Sequence, residues 1–202
     1  MKIGVLGSGK IGGTLGRKWA KAGHEVVFGV RDPGADKVKD LLASIEGSVE
    51  ARPHAEALVS SEVVLFAMPH SAVTEFAREH AAALDGRILI DATNHFGAAV
   101  INNVAALQAQ APRARTYRAF NALGWEVFAE PYFDEIQTDL FYCGAPGEGQ
   151  EAVELLIVDA GLWPVYVGGL EVVSLVDNLG SVWVQLAVRQ GLGRHIAFKL
   201  LT

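Results

Sequence analysis

The chain of 202 residues has a single cysteine, Cys143, and no excess of positive charge. One cysteine excludes an internal disulfide and favours a reducing compartment such as the cytoplasm. Lysine and arginine number 17 against 23 aspartates and glutamates, a net charge of −6, which disfavours nucleic acid and anionic membranes as partners. An apolar strand follows directly after Met1 and Lys2, so we expect no cleavable signal.

The usual machinery of nucleophilic or metal-dependent catalysis is also missing. No GxSxG motif occurs, and Cys143 lies in an apolar stretch that predicts a buried strand thiol without a redox role. The six histidines show no HxxxH or HxH spacing, so we predict no metal site. The most apolar tract, residues 162–187, contains charged and amide side chains, which favours a buried or dimer-forming helix over a membrane span.

The most informative feature that is present is a glycine loop, whose residues are Gly7, Ser8, Gly9, Lys10, Ile11 and Gly12. It follows the apolar run of residues 3–6 and precedes a helical pattern at residues 14–22. In this context Gly7 permits a tight turn, Gly9 a close approach of the backbone to a pyrophosphate, and Gly12 close packing of helix on strand. The N-terminus of the helix adds free N–H groups and a positive dipole end. The loop predicts a dinucleotide site.

Strand and helix patterns alternate along the rest of the chain, which predicts an α/β fold of the Rossmann type, a doubly wound parallel sheet. Strands are expected near residues 25–29, 63–67, 87–91, 116–120 and 139–143, and helices near residues 36–45, 55–60, 71–83 and 99–110. The Gly- and Pro-rich stretch at residues 145–149 predicts a boundary between a dinucleotide-binding domain, residues 1–145, and a small, mainly helical C-terminal lobe, residues 146–202. A helix (residues 151–160), a short strand (residues 163–167) and a long helical segment to the end are expected in this lobe.

The end of the second strand bears on the choice between NAD and NADP. NAD-binding folds usually place an acidic residue there, whereas this chain has Gly29 and Val30, followed by Arg31. A guanidinium can form a bidentate contact with a 2′-phosphate, and Lys37 adds a second positive charge. Asp32 complicates the assignment, because it can pair with Arg31 or face the ribose. The pattern favours NADP(H), with a solvated turn arginine as the alternative.

Loops after the later strands should line the remainder of the cofactor, because ligands bind at the carboxyl ends of strands in open sheets. The residues concerned are Met68, Pro69, His70, Ala92, Thr93, Asn94, His95 and Asn121. The threonine and the two asparagines can hydrogen-bond a carboxamide or ribose, and Met68 and Pro69 can pack on a ring. For Asp91 and Asn94, capping of the next helix is an equal alternative.

Two histidines are candidates for contact with a second substrate. His70 and His95 both follow strand ends at the expected cleft and can donate to a carbonyl or phenolate, although each is otherwise a polar loop residue. No catalytic residue is certain, since hydride transfer between two redox cofactors needs alignment more than a proton donor. Trp125 can cover a flat ring or pack in the core.

With these motifs in matching order, the chain resembles the NADP oxidoreductases that use coenzyme F-420, a 5-deazaflavin. The resemblance rests on the glycine loop, on residues 29–33, 91–94 and 119–121, and on the ending at residues 192–201. It implies hydride exchange between NADP(H) and a deazaflavin, in a homodimer whose C-terminal lobe contributes to the subunit contact. It implies cofactor contacts at Ser8, Gly9, Lys10, Ile11, Val30, Arg31 and Lys37. The family commonly has Ser or Thr where this chain has Val30, which removes one hydroxyl contact to the 2′-phosphate.

We therefore expect a cytoplasmic NADP(H)-dependent oxidoreductase that exchanges hydride with a small-molecule redox partner, a deazaflavin. One alternative is an NADPH-dependent reductase of another acceptor, such as a flavin, a ferric chelate, an imine or a small carbonyl. The other is a protein that senses NADP(H) without turnover. The sequence leaves the physiological partner, the direction of flux and the oligomer size open.

Overall fold

The computed structural model describes residues 1–201 as alternating strands and helices. Within these residues the strands are β1 (Lys2–Leu6), β2 (Glu25–Val30), β3 (Val49–Pro53), β4 (Val63–Phe66), β5 (Ile88–Asp91), β6 (Arg115–Arg118), β7 (Tyr132–Phe133), β8 (Ile136–Gln137), β9 (Asp139–Gly144) and β10 (Trp163–Gly168). The α-helices are α1 (Lys10–Lys21), α2 (Asp36–Ala43), α3 (His54–Ser60), α4 (His70–Glu79), α5 (Ala81–Leu84), α6 (Val104–Gln110), α7 (Trp125–Ala129), α8 (Glu148–Asp159) and α9 (Val173–Val184). A 3₁₀ turn (Leu170–Val172) precedes α9 and a π-helical turn (Gln185–Arg189) follows it.

Eight of these strands form one sheet in the order β10-β9-β6-β5-β4-β1-β2-β3, and β7 and β8 form a separate hairpin. Strands β1 to β6 are all parallel to one another. Their order, 3-2-1-4-5-6, is that of a Rossmann fold, in which the chain reverses direction across the sheet between β1 and β4. All six strands therefore end at the same edge, which we call the carboxyl edge. The predicted fold class is confirmed.

The last two strands extend this sheet beyond β6. Strand β9 runs antiparallel to β6, and β10 runs parallel to β9. Helix α8 packs against β10 and against α1. The indole Nε1 of buried Trp19 in α1 donates to the carbonyl oxygen of Leu156 in α8 at 2.8 Å. After residue 145, strand β10 thus continues the main sheet, and the helical parts of the C-terminal segment are α8 and α9 with its flanking turns. The domain boundary after residue 145 stays a prediction.

Several element assignments from the sequence were wrong, and the short elements α7, β7 and β8 were not predicted at all. Strand β3 was not predicted, because its alternating pattern is short and ends at Pro53, which is tolerated at a sheet edge. The helix expected from residue 99 begins at Val104, after an Asx turn in which Oδ1 of Asn102 accepts the N–H of Val104 at 2.9 Å. The helical segment expected to reach the C-terminus ends near Gln190, since Gly191 and Gly193 adopt positive φ.

The C-terminal tail is instead an irregular segment fixed to the body of the fold. The indole Nε1 of Trp183 donates to the carbonyl oxygen of Ile196 at 2.9 Å. The ammonium of Lys199 and the N–H of Leu200 both donate to the buried carboxylate of Asp139, at 2.6 and 2.7 Å. These contacts replace the backbone hydrogen bonds that a helix would supply.

The core lies on both faces of the sheet, and β4 is buried along its whole length. Cys143 in β9 is fully buried, and burial raises the pKa of its thiol to about 11, so the predicted buried strand thiol is confirmed. Within residues 1–201, no helix is long and apolar enough to cross a membrane.

Candidate functional site

The glycine loop joins β1 to α1 at the carboxyl edge, and two of its glycines are required by the protein itself. Gly7 has φ of 118°, and a Cβ there would lie 2.5 Å from the carbonyl oxygen of Ala67. A Cβ on Gly12 would lie 2.1 Å from the carbonyl oxygen of Gly7. Neither position accepts a larger residue without movement of backbone, as the turn and the helix–strand contact of a Rossmann fold demand.

Gly9 is different, because nothing in the protein lies within 4 Å of the position its Cβ would occupy. Its backbone is extended, with φ of −77°, so the fold alone would accept alanine there. The open space faces the N-terminus of α1, where the first N–H groups of a helix have no partner within the helix. No side chain caps this terminus, and no acidic residue occupies its first turn. A cradle of this kind fits a pyrophosphate.

Lys10 and Trp125 meet beside this cradle. The ammonium of Lys10 lies 4.1 Å from the centroid of the indole ring, a cation–π contact between the first residues of α1 and α7. Trp125 is half-buried, so it belongs neither to the closed core nor to the open surface. Ser8 and Ile11 are also half-buried around the loop.

At the end of β2, Val30 is buried, and Arg31 and Lys37 are exposed. Within residues 1–201 neither cation forms an ion pair. Asp32 is engaged locally, since its Oδ1 accepts the N–H of Gly34 at 2.9 Å in an Asx turn. Asp32 forms no ion pair with Arg31 within residues 1–201. Two cations thus remain available to an anionic ligand here.

His54 lies near Arg31, although it is not among the site residues predicted from the sequence. It follows Pro53, which pairs with Val30 in the sheet, so the two side chains stand at adjacent strand ends. Burial, and then the charges of His80 and Arg31, lower the pKa of His54. Its signal in the sequence was weak, because the strand before it was not recognised.

The structure brings His70 and His95 together. Their ring centroids lie 5.2 Å apart, and His70 Nε2 lies 3.4 Å from the carbonyl oxygen of Asn102. His70 begins α4 directly after half-buried Met68 and exposed Pro69, and His95 is exposed in the loop after β5. The two rings form a pair of polar groups at the carboxyl edge.

Asp91, at the end of β5, anchors both ends of the loop that follows it. Its Oδ1 accepts the N–H and the hydroxyl of Thr93 at 3.0 and 2.6 Å, and its Oδ2 accepts the N–H of Asn103 at 2.7 Å. Ala92 and Thr93 are buried beside it. Asp91 therefore organises this loop as a whole, which is more than the helix cap considered from the sequence.

Asn94 is held by the protein at both ends of its amide. Its Oδ1 accepts from Nη2 of Arg118 at 2.7 Å, and its Nδ2 donates to the carbonyl oxygen of Asn121 at 2.9 Å. Arg118 and its partner Asp177 were both missed as site residues. The available signal was an arginine inside an apolar strand and an aspartate inside an apolar helix.

Asn121 lies in a strained turn after β6. The preceding residue, Phe120, has φ of 59°, which is rare for a bulky side chain and tends to mark functional loops. Asn121 is buried, its Nδ2 lies 3.5 Å from the carbonyl oxygen of Val176, and its Oδ1 has no hydrogen-bond partner within residues 1–201. A buried acceptor without a partner is costly unless a ligand supplies a donor.

A cavity of about 210 Å³ opens between the loop after β5 and the end of α9. Its lining residues are Phe96, Gly97, Ser181, Val184, Gln185 and Arg189. A Cβ on Gly180 would lie 3.3 Å from the carbonyl oxygen of Asn121 and 3.4 Å from the ring of Phe96, so the cavity borders the Asn121 turn. A π-helical turn forms part of its wall, a feature that often accompanies functional sites.

Comparison with known families agrees with this geometry. Residues 2–95, which contain the glycine loop and the ends of β2, β4 and β5, match the model of the family described as NADP oxidoreductase coenzyme F420-dependent. The match spans a little less than half of the chain, and over it the chain is similar to this family. The predicted resemblance is confirmed. The description of the family and the names of the curated relatives are those of NADP-dependent oxidoreductases, which agrees with the predicted class of enzyme and the predicted cofactor, NADP(H).

Two curated relatives are F420-dependent NADP reductases. The protein from Methanothermobacter marburgensis is 35% identical over 99 residues, which cover 46% of this chain and 44% of that protein. The protein from Methanothermobacter thermautotrophicus is 25% identical over 210 residues, covering 94% of this chain and 90% of that protein. The chain thus aligns with less than half of the first relative and with nearly all of the second.

Solved structures share the fold across the whole chain. A protein from Arthrobacter sp. FB24, provisionally named an F420-dependent NADP-reductase, has a TM-score of 0.84 at 21% identity, with full coverage of both chains. Pyrroline carboxylate reductase from Plasmodium falciparum, solved with NADP bound, has a TM-score of 0.60 at 12% identity and covers 96% of this chain and 71% of its own. At these identities the likeness establishes the Rossmann-type fold.

The contrast between Gly9 and Gly12 yields the first prediction. We expect Gly9→Ala to leave the thermal unfolding midpoint unchanged, because its Cβ meets no protein atom, and to weaken NADPH binding at least tenfold by blocking the pyrophosphate. Gly12→Ala is the matched variant, and it should lower the midpoint itself. Thermal unfolding and NADPH fluorescence titration measure both effects. Unchanged NADPH affinity in Gly9→Ala would remove the pyrophosphate from this cradle.

Proposed function

We propose that the protein exchanges a hydride between NADP(H) and the deazaflavin coenzyme F420. The observation that carries this proposal is the open position at Gly9, flanked by two glycines that the fold itself requires. The family match over residues 2–95 and the names of the two curated relatives support the deazaflavin as the second substrate.

In this proposal three parts of the nucleotide, the pyrophosphate, the 2′-phosphate and the nicotinamide, bind at different places along the carboxyl edge. The N–H groups of α1 hold the pyrophosphate, with Lys10 beside them. Arg31 and Lys37 hold the 2′-phosphate, because both are exposed and without ion-pair partners within residues 1–201. Val30 contributes only backbone and apolar contact, so the guanidinium carries most of the preference for NADP(H).

The nicotinamide end would lie against the loops after β4, β5 and β6. Bound NADPH supplies the hydride, and the residues of the chain bind, orient and exclude water. Asn121 Oδ1, the buried acceptor without a partner, suits the carboxamide N–H of a nicotinamide. Met68 and Pro69 offer an apolar surface for the ring, and Thr93 stands beside Asn103, which donates to its hydroxyl at 3.0 Å.

The second substrate would occupy the cavity beside Asn121. Its wall combines an aromatic ring, Phe96, with one cation, Arg189, which suits a flat ring that carries an anionic substituent. His70 and His95 stand on the same edge and can donate a hydrogen bond to a carbonyl on that ring. No proton donor is required for the hydride itself, because alignment of the two rings is the main demand.

We further propose that the protein acts as a homodimer in the cytoplasm. Helix α9 and the π-helical turn after it present an apolar stripe at heptad spacing, formed by Leu175, Leu179, Val182 and Leu186. Leu175 and Val182 are 56% and 47% exposed, which is unusual for two large apolar side chains on one helix face. A second copy of the stripe would cover them. The single, buried cysteine suits a reducing compartment.

The function is tested by mixing the protein with NADPH and oxidised F420 in a stopped-flow spectrometer. We expect the absorbance of NADPH and of the oxidised deazaflavin to fall together at equal rates. Flavin, a ferric chelate and a cyclic imine are the comparison acceptors. Reduction of one of these without reduction of F420 would mean that the protein is a reductase of that other acceptor. Tight NADPH binding without any turnover would mean that it senses NADP(H). If the protein bound no nicotinamide nucleotide, the proposed function and both alternatives would be refuted.

Selectivity for the 2′-phosphate is tested by a charge swap. Arg31→Glu should weaken NADPH binding by about 1.5–3 kcal/mol, because a charge-assisted contact is lost and repulsion is gained, while NADH binding is spared. Lys21→Glu, the same swap at the other end of α1, is the control and should change neither affinity. Fluorescence titrations with both nucleotides measure the effect. An equal loss for NADPH and NADH would assign Arg31 to the fold.

The dimer is tested on the stripe of α9. We expect the wild-type protein to sediment as a dimer and the Leu175→Glu/Val182→Glu variant to sediment as a folded monomer, because charged side chains in an apolar interface remain desolvated. Val158→Glu is the control, since Val158 is similarly exposed but lies on α8. Analytical ultracentrifugation and circular dichroism measure mass and folding. A monomeric wild-type protein, or a dimeric double variant, would contradict the assignment.

A further inference from the structure

Arg118 is a fully buried charge that the proposed chemistry does not use. It ends β6, its side chain is fully buried, and its guanidinium donates to groups on three different segments. Nε donates to Oδ1 of Asp177 at 2.8 Å, and Nη1 donates to the carbonyl oxygens of Asp91 and Thr93 at 3.0 and 2.5 Å. Nη2 donates to Asn94 Oδ1 at 2.7 Å. These are four hydrogen bonds from a side chain that offers five N–H donors.

Two carboxylates face this one guanidinium from opposite sides. Oδ2 of Asp91 lies 3.4 Å from Nη1, and Oδ1 of Asp177 lies 2.8 Å from Nη2. Asp177 belongs to α9, and its Oδ2 also accepts from Nδ2 of Asn102 at 2.6 Å. The same guanidinium therefore holds the loop after β5 and the helix that walls the cavity.

These contacts fix the direction of the Asn94 amide. Because Arg118 is a pure donor, Asn94 must present its oxygen to the guanidinium and its NH₂ to the carbonyl oxygen of Asn121. That hydrogen bond holds the strained turn in which Asn121 Oδ1 is left without a partner. A lysine at position 118 offers a point charge without the planar fork and cannot hold all of these acceptors in place.

We propose, given hydride exchange at this edge as argued above, that Arg118 is a positioning residue for the transfer. It acts through Asn94 and Asp177: the first sets the Asn121 turn on the nicotinamide side, and the second sets α9 on the side of the second substrate. Its guanidinium thus fixes the separation of the two rings without touching either. Loss of the fork should impair alignment of the rings more than binding of the nucleotide.

The test compares wild type with Arg118→Lys, and uses Asn94→Ala as a second variant that leaves both carboxylates paired. We expect Arg118→Lys to lower kcat about 10- to 100-fold, because small misplacements of reacting groups have effects of this size. The dissociation constant for NADPH should change by less than about twofold. With NADPH deuterated at the transferred position, the isotope effect on kcat should rise as hydride transfer becomes limiting. Asn94→Ala should show the same pattern with a smaller loss.

Two controls separate positioning from general loosening. Arg115→Lys changes the half-buried arginine at the other end of β6, whose partner is Glu148, and should leave all values unchanged. Val153→Ala opens a core cavity in α8 and lowers stability, yet it should leave kcat and the isotope effect at wild-type values. A kcat loss in Val153→Ala equal to that in Arg118→Lys would mean that Arg118 serves stability alone.

A further readout does not depend on turnover. Hydrogen–deuterium exchange with NADP⁺ bound should accelerate in Arg118→Lys over residues 92–103 and 173–184 and stay unchanged elsewhere. Unchanged exchange there, or an NADPH affinity that falls as much as kcat in either variant, would overturn the positioning role. If wild type transfers hydride to no acceptor, the proposed function fails, and the exchange pattern alone then decides whether Arg118 holds these two segments. If Arg118→Lys does not fold, the split between kcat and affinity in Asn94→Ala decides.

Discussion

A guanidinium held between two buried carboxylates is the interaction on which the carboxyl edge depends. Burial of three charged groups is costly, and it is tolerated only when every hydrogen-bonding position is used. Here the donors of Arg118 and the oxygens of Asp91 and Asp177 all have partners. Removal of one member from such a cluster typically costs about 3–5 kcal/mol, because it leaves a buried charge without compensation. The cluster therefore permits one arrangement of β5, β6 and α9 and disfavours every other.

The glycine loop imposes a different kind of constraint, in which small size matters at each position for its own reason. Gly7 is required because the backbone adopts a positive φ there, and Gly12 is required because helix and strand are in close contact. Neither reason applies to Gly9, because no protein atom lies within 4 Å of the position its Cβ would occupy. A glycine that the fold does not need is best explained by a ligand that does. This distinction is invisible in the sequence, where the three residues are identical.

The sequence was sufficient wherever the evidence was local. The glycine loop, the alternation of strands and helices, and Arg31 in place of an acidic residue all lie within short windows, and the fold class followed from them. Strand β3 was missed because five residues ending in proline give a weak pattern. The tail was assigned to a helix because its contacts, such as that of Lys199 with Asp139, join residues 60 positions apart.

The Arg118 cluster could not be derived from the sequence for the same physical reason. Its members are separated by 27 and 59 residues, and no periodicity connects them. From the sequence, each residue could be interpreted only from its immediate neighbours. Asp91 and Asn94 were interpreted as cofactor contacts or helix caps, and Asp177 as one of the polar residues that disfavour a membrane span. Only the sheet, which sets β5 beside β6 and packs α9 across their ends, turns three unrelated polar residues into one unit.

The two ends of the candidate nucleotide site differ in rigidity, and the difference follows the chemistry proposed for each. Recognition of a phosphate by Arg31 and Lys37 relies on charge, which acts over distance and tolerates exposed, mobile side chains. Hydride transfer relies on the separation and angle of two rings, which tolerate little displacement. Two exposed cations without ion-pair partners in residues 1–201 follow β2, and a buried hydrogen-bond cluster lies at the ends of β5 and β6. Under the proposed function, affinity and alignment would thus be supplied by separate residues, so a change in one need not disturb the other.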